Sequence, residues 1–281
     1  MAKDTVNEND VNFGGCGANV AVGLQQLGHH CGVAMVLGDD KGGQSYYDYL
    51  KEQGVDCRNT FLLPGHKTSQ SYLFRNDDGE YLNFFYSGAA DAWNAELQLD
   101  GLDEIRWGLV TVAPATYNIS FARLLGEHGI PLAWQLKPDI AAYPPEALTY
   151  FVSITQIMFC NQLEANYLCR LLGLTDVREV FKRGVKVLVL TLGKQGAQII
   201  TPSETHNIPV VSSKVVDTTG AGDAFTAAFL AGYFREYDLL TCGRLAATMA
   251  SFTIEKIGCQ TNLPDWKQLC DRYENHYDKI L

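Results

Sequence analysis

Short runs of almost unbroken apolar residues alternate along this chain with stretches of helical spacing, and few architectures accept that rhythm. The runs are GVAMVLG (32–38), GLVTVAP (108–114), IPLAWQL (130–136), TQIMFCN (155–161) and VKVLVLTLG (185–193). A strand with one wet face alternates apolar with polar residues. These runs do not, which suits strands covered on both faces in a parallel sheet. The intervening stretches NVAVGLQQLG (19–28), QSYYDYLKEQG (44–54), SFARLLGEHG (120–129) and EANYLCRLLG (164–173) each close on Gly, a common helix stop. Strands alternating with helices predict an α/β fold, a doubly wound and mostly parallel sheet clad on both faces.

At 281 residues, with no repeat, low-complexity tract or Pro/Ser-rich linker, the chain reads as a single domain over 1–281. One segment breaks the rhythm. TSQSYLFRNDDGEYLNFFYSG (68–88) predicts a β-hairpin turning at Asp78–Gly79, within an insertion of approximately 60–90. Insertions on such sheets often cover the ligand crevice, so the hairpin is expected to act as a lid; an extra edge hairpin is the plainer alternative.

Composition narrows the function classes. With 22 basic against 32 acidic residues the formal charge is −10, and no basic block is available to neutralise phosphates. A nucleic-acid surface is therefore not expected. No apolar run approaches the roughly 18 residues of a membrane helix, and MAKDTVNENDVN lacks the apolar stretch of a signal peptide. The 8 cysteines are scattered with no C-x-x-C pair, which predicts reduced, mostly buried thiols and a cytoplasmic chain rather than zinc or redox chemistry.

The sharpest chemical signal is VVDTTGAGDAFTAAFLAGYF (215–234). A strand-like approach gives way to Thr-Thr-Gly-Ala-Gly-Asp and then to small and apolar residues at helical spacing. Gly220 and Gly222 let backbone N–H groups converge at a helix start, where the dipole also favours an anion. Asp223 projects from that first turn, where a carboxylate can take a proton from a hydroxyl nucleophile. A capped helix with an acidic first turn explains the same residues without chemistry.

GGCGANVAVGLQQLG (14–28) together with DTTGAGDAF (217–225) resembles the two signatures of the ribokinase-type (PfkB) carbohydrate kinases, in the same order and at a similar separation. The similarity runs from Gly14 to about Pro264. It implies a ribokinase-like fold with Asp223 as catalytic base, and Gly220, Ala221 and Gly222 forming the anion hole for the transferred phosphoryl group. Asn161-Gln-Leu-Glu164 is a capping box by itself; the resemblance implies that its Glu164 organises Mg²⁺ near the phosphates. Thr191, Gly193 and Gly196 of TLGKQGA resemble a nucleotide loop for ATP, although alone they describe an ordinary strand–turn–strand. SFTIEKIGCQTNLP (251–264), with Asp217 and Thr219, resembles a monovalent-cation (K⁺) site, for which Thr253, Gly258 and Asn262 are the candidates beside a plain buried turn. Lys194 and Lys256 read as surface lysines. No G-x-x-x-x-G-K-[ST] motif occurs, and the glycines at 14, 15 and 17 follow no strand, so neither a P-loop nor a dinucleotide site is expected.

The resemblance also exposes departures. Family members begin with a strand and loop whose Asp holds the substrate's hydroxyls; here only polar MAKDTVNENDVNF precedes Gly14, and neither Asp4 nor Asp10 has that context. The expectation is a chain shorter than the functional polypeptide, with weak acceptor affinity. Gln135 stands where an acidic residue is frequent, and Cys16 where some sugar kinases carry Lys. Together these readings imply ATP-dependent phosphorylation of a primary hydroxyl on a sugar or nucleoside held by Gly14, Gly15 and Asn19. The lean is toward the adenosine- and nucleoside-kinase-like branch, and the resemblance leaves room for a homodimer through the lid. A non-catalytic binding protein on the same fold is the rival.

Overall fold

The computed structural model describes residues 11–75, 81–93, 97–277 and 279. In chain order its elements are α1 (Cys16–Gln26), β1 (Met35–Gly38), α2 (Lys41–Glu52), β2 (Thr60–Leu63), β3 (Gln70–Arg75), β4 (Tyr81–Tyr86) and α3 (Ala89–Ala92). There follow β5 (Gly108–Val110), α4 (Ala115–Glu127), β6 (Leu132–Gln135), α5 (Pro145–Ile154), β7 (Thr155–Asn161) and α6 (Gln162–Leu172). The last elements are β8 (Val187–Thr191), β9 (Ala197–Ile200), β10 (Thr205–Ile208), α7 (Ala221–Phe234), α8 (Leu239–Thr253) and α9 (Trp266–His276).

The central sheet has the order β10-β9-β8-β7-β6-β5. Strands β5 to β8 run parallel, and β9 and β10 return antiparallel at one edge. Strand periodicity divides the core. Ile157, Phe159, Val187 and Val189 face the layer built by α1, α7 and α8. Met158, Cys160, Leu188 and Leu190 face the opposite layer, built by α4, α5 and α6. Successive side chains thus go to opposite faces and both are dry, which is why the runs read as unbroken apolar segments.

The sequence readings differ from this fold in two respects. The run 185–193 is followed by the antiparallel β9 and β10 rather than by a helix. GVAMVLG does form a strand, but β1 pairs in parallel with β2 in a separate two-stranded sheet. Its own small core of Val33, Leu37, Tyr46, Leu50 and Val55 packs on Ala18, Ala21 and Val22 of α1. Local apolarity specifies a covered strand, not its neighbour; that is decided by where α1 and α2 pack. The hairpin of β3 and β4 pairs antiparallel as expected, and its turn at Asp78–Gly79 lies outside the described residues. So do Asp4 and Asp10.

α7 is the buried axis of the molecule, with every residue from Asp223 to Gly232 buried. A helix apolar on all sides must be covered on all sides, and α1, α8 and the sheet do so. α1 crosses it closely at Gly23, where an added Cβ would stand 2.8 Å from the Cβ of Ala227. One turn earlier on each helix lie Asn19 and Asp223. No described helix is long and apolar enough to cross a membrane.

Candidate active site

The C-terminal ends of β6, β7 and β8 meet along one edge of the sheet. Gln135 pairs in register with Phe159, and Asn161 with Thr191. The N-terminus of α7 arrives above this edge. Gly220 is its N-cap, at φ 79°, a left-handed conformation that favours glycine. An added Cβ there would also stand 2.7 Å from the Cβ of Cys259. The amide of Ala221 donates to the Thr218 carbonyl, and the first i to i−4 bond of the helix comes from Ala224 to Gly220. The amides of Gly222 and Asp223 therefore open the helix with no carbonyl a turn before them in the helix. A Cβ built at Gly222 meets nothing within 4 Å, and Gly222 and Asp223 line an open cleft, the setting in which a helix N-terminus can receive an anionic group.

Asp223 is held from both sides. Asn19 Nδ2 donates to its Oδ2 at 2.7 Å. Gln135 Nε2 and Lys137 Nζ each donate to Oδ1 at 3.0 Å. Asn19 is fixed in turn, since its Oδ1 accepts from Gln260 Nε2 at 2.7 Å. The side chains of Lys137 and Asp223 are 21% and 6% exposed. Burial works against the charge of Lys137, but the Asp223 carboxylate, with Glu164 behind it, outweighs this and holds the ammonium above the ordinary lysine range. Burial, with Asp223 second, pushes the Cys16 thiol up to about 12. Cys16 is thus a neutral neighbour, not a thiolate.

Asn161 and Glu164 form the expected capping box, with Glu164 N–H donating to Asn161 Oδ1 at 2.9 Å and Asn161 N–H to Glu164 Oε2 at 2.8 Å. The Glu164 carboxyl is raised above its usual range, chiefly by burial, and it senses both Lys137 and Asp223. Asp139, two residues past Lys137, is raised to about 6 by burial. Among the described residues no group of three or more His, Cys, Asp or Glu side chains could hold a metal. A divalent ion here would be met by Glu164 and the phosphates it accompanies, and that donor set suits Mg²⁺, which keeps most of its waters.

The other sequence candidates divide. Gly14, Gly15, Asn19, Asp217, Thr219, Gly220, Gly222, Asp223 and Gly258 line one cleft, together with Thr68, Ser69, Gln70, Tyr72 and Phe85 at the hairpin. Its volume of about 3080 Å³ exceeds the roughly 300–1,000 Å³ of a small-ligand pocket, because it runs on between the outer edges of β1 and β5. Tyr46 donates its hydroxyl to the Gly14 carbonyl. Asp217 accepts from the amides of Thr219 at 2.9 Å and Gly258 at 3.1 Å, tying the loop after α8 to the start of α7. Thr253 Oγ1 donates back to the Met249 carbonyl and Asn262 Nδ2 to that of Phe252, so both side chains serve the loop itself. Thr191 ends β8, and Gly193 and Gly196 belong to the tight turn that follows it, apart from that cleft.

Sequence reasoning missed Lys137 and Gln260. It weighed Lys194 and Lys256, both exposed. The available signal was position: Lys137 stands two residues beyond a strand buried along its length, at the edge where α/β folds bind ligands.

Comparisons with known proteins identify the family and the fold. The pattern of the pfkB family carbohydrate kinases matches residues 2–266. A nucleoside kinase of Methanocaldococcus jannaschii is 31% identical over 265 residues, covering 94% of this chain and 86% of the relative. The crystal structure of the nucleoside kinase from that organism superposes with a TM-score of 0.84 at 28% identity, covering 98% of this chain and 93% of that one. The Burkholderia thailandensis nucleoside kinase in complex with inosine gives 0.87 at 26% identity, covering 95% and 87%. With the family pattern matching residues 2–266 and a relative 31% identical over most of both chains, the chain belongs to the pfkB family of carbohydrate kinases.

Proposed function

We propose that this kinase transfers the γ-phosphoryl group of ATP to the primary hydroxyl of a nucleoside. As a family member it is an ATP-dependent phosphotransferase acting on a hydroxyl of a sugar or nucleoside. The finer choice of a nucleoside rests on relatives named nucleoside kinase and on a neighbour whose structure contains inosine. The observation that carries the chemistry is Asp223, a buried carboxylate on the same first turn as the open amides of Gly222 and Asp223.

Asp223 takes the proton of the acceptor hydroxyl as its oxygen bonds to the γ-phosphorus and the bond to the bridging oxygen breaks. The amides at the start of α7 hold the phosphoryl oxygens as their charge redistributes. Gly14, Gly15 and Asn19 orient the acceptor beneath the hairpin, which acts as a lid over the cleft. Thr191, Gly193 and Gly196 hold the nucleotide. Mg²⁺ near Glu164 supplies charge neutralisation at the phosphates. Asp217, Thr219, Thr253, Gly258 and Asn262 would surround a K⁺ ion next to the anion turn. A cytoplasmic location belongs to the same reading. So does a homodimer through the hairpin, whose Tyr72, Leu73, Phe74, Leu82, Phe84, Phe85 and Tyr86 are all exposed.

The test is an ADP-release assay over a panel of nucleosides and free sugars with Mg·ATP. Turnover of a nucleoside well above ribose and fructose is expected. Preference for a free sugar would replace the nucleoside reading, and binding of nucleotide without turnover of any acceptor would leave the non-catalytic rival.

A further inference from the structure

We propose that Lys137 takes part in phosphoryl transfer: its ammonium pairs with Asp223 in the free protein and moves to the transferred phosphoryl group when nucleotide is bound. The inference rests on the reading of Asp223 as the base. It starts from a conflict in the geometry. Three donors already engage the Asp223 carboxylate, two of them on Oδ1, and one carries a full charge. An ammonium 3.0 Å from Oδ1 occupies a lone pair that a base must offer to the acceptor's proton.

The surroundings supply the resolution. Among the described residues Lys137 is the cation paired with Asp223, and the ionisable groups next around it are the neutral thiol of Cys16 and the carboxyl groups of Glu164 and Asp139. A nucleotide phosphate on the amides of Gly222 and Asp223 brings several negative charges to within a few ångströms of Nζ. Lys137 lines the same cleft as those amides and sits in the loop just after β6, at the N-cap of a short helical turn. Its four-carbon stem and three rotatable donors can exchange one oxygen partner for another without backbone movement. The exchange releases one lone pair of Asp223 when the electrophile is present. The lysine stays protonated throughout: the acceptor's proton goes to Asp223, the new O–P bond forms, and ADP leaves with the electron pair of the broken bond. Base and phosphoryl clamp are thereby coupled through one side chain.

Calorimetric titration of Mg·ADP and Mg·AMP-PNP into the wild type, Lys137→Met and Lys137→Arg separates this from a purely structural ion pair. Lys137→Met is expected to weaken Mg·AMP-PNP about tenfold or more, as for loss of a charged hydrogen bond, with Mg·ADP changed less than about threefold. Turnover should fall about 10²-fold with the acceptor KM little changed, and Lys137→Arg should recover much of both. Equal weakening of the two nucleotides, no change in either, or Lys137→Met turnover close to wild type would each overturn the proposal. Should Lys137→Met not fold, Lys137→Gln is read by the same criteria. A wild type that binds AMP-PNP but phosphorylates no acceptor would sink the kinase reading while the calorimetry still decides the role of Lys137 toward the phosphate. A wild type that binds neither nucleotide overturns both.

Discussion

Asn19 on the first helix donates a 2.7 Å hydrogen bond to Asp223, 204 residues away in sequence, one turn from the crossing where Gly23 lets α1 and α7 pack closely. The amide of Asn19 is itself held by Gln260. A carboxylate fixed in this way loses little entropy on reaching the reactive geometry. Replacing Asp223 by Asn keeps the shape and removes the proton acceptor. Steady-state kinetics should give a kcat at least about 10²-fold lower, with nucleotide affinity nearly unchanged. Activity within threefold of wild type would take Asp223 out of the mechanism.

Asn19→Leu removes both links of the clamp, leaving Asp223 Oδ2 in need of a donor and Gln260 Nε2 with only its longer 3.3 Å bond to the Tyr46 hydroxyl. Buried groups that lose a partner cost about 1–3 kcal/mol each, so urea denaturation should show a loss of that order. Catalysis should fall as well, because Lys137 and Gln135 alone then orient the base. A variant as stable as the parent would mean that water replaces the amide.

Glu164→Gln retains an oxygen to accept the Asn161 amide and so preserves the cap. Thermal melting should move little. The Mg²⁺ concentration giving half-maximal turnover should rise, since the carboxylate charge is gone. A large loss of stability with an unchanged Mg²⁺ titration would assign Glu164 to helix capping alone.

Asp139 makes stability depend on pH in the unusual direction. Its folded pKa of about 6 lies above the ordinary 3.8 because burial disfavours the charge. The folded chain therefore keeps a proton that the unfolded chain has released. The penalty is complete above pH 6 and is relieved as pH falls from about 6 toward 4. Asp139→Asn should raise stability near pH 7.5 by on the order of 1–3 kcal/mol. The gap between variant and parent should shrink to about a third by pH 4.5 and close only below the ordinary 3.8 in paired melting curves. A gap independent of pH would show that charge is not its cause.

Gly220→Ala meets two obstacles at once, a φ of 79° and the Cβ of Cys259 at 2.7 Å. A strained backbone position costs about 1–3 kcal/mol, and relief would shift the amides that follow. Denaturation should report lower stability and the nucleotide KM should rise together. An unchanged KM in a destabilised protein would separate the turn from nucleotide binding.

The alternation of strands and helices, the capping box of Asn161 and Glu164, and the glycine turn before Asp223 could all be read from contiguous residues. Each is a local property: periodicity reports which faces are dry, a cap satisfies amides three residues away, and a left-handed turn needs glycine wherever it stands. What surrounds Asp223 is not local. Lys137 lies 86 residues from it and Gln135 lies 88, and nothing in the composition of either segment marks them as its partners. Only the packing of α7 over the edge of the sheet brings them together. The pairing of β1 with β2 is of the same kind, because an apolar strand accepts any neighbour that supplies backbone hydrogen bonds and covers its faces. Sequence alone determined the elements and the anion-binding turn; the tertiary structure decided what holds the base, since ion pairs and amide clamps depend on distances that only the folded core sets.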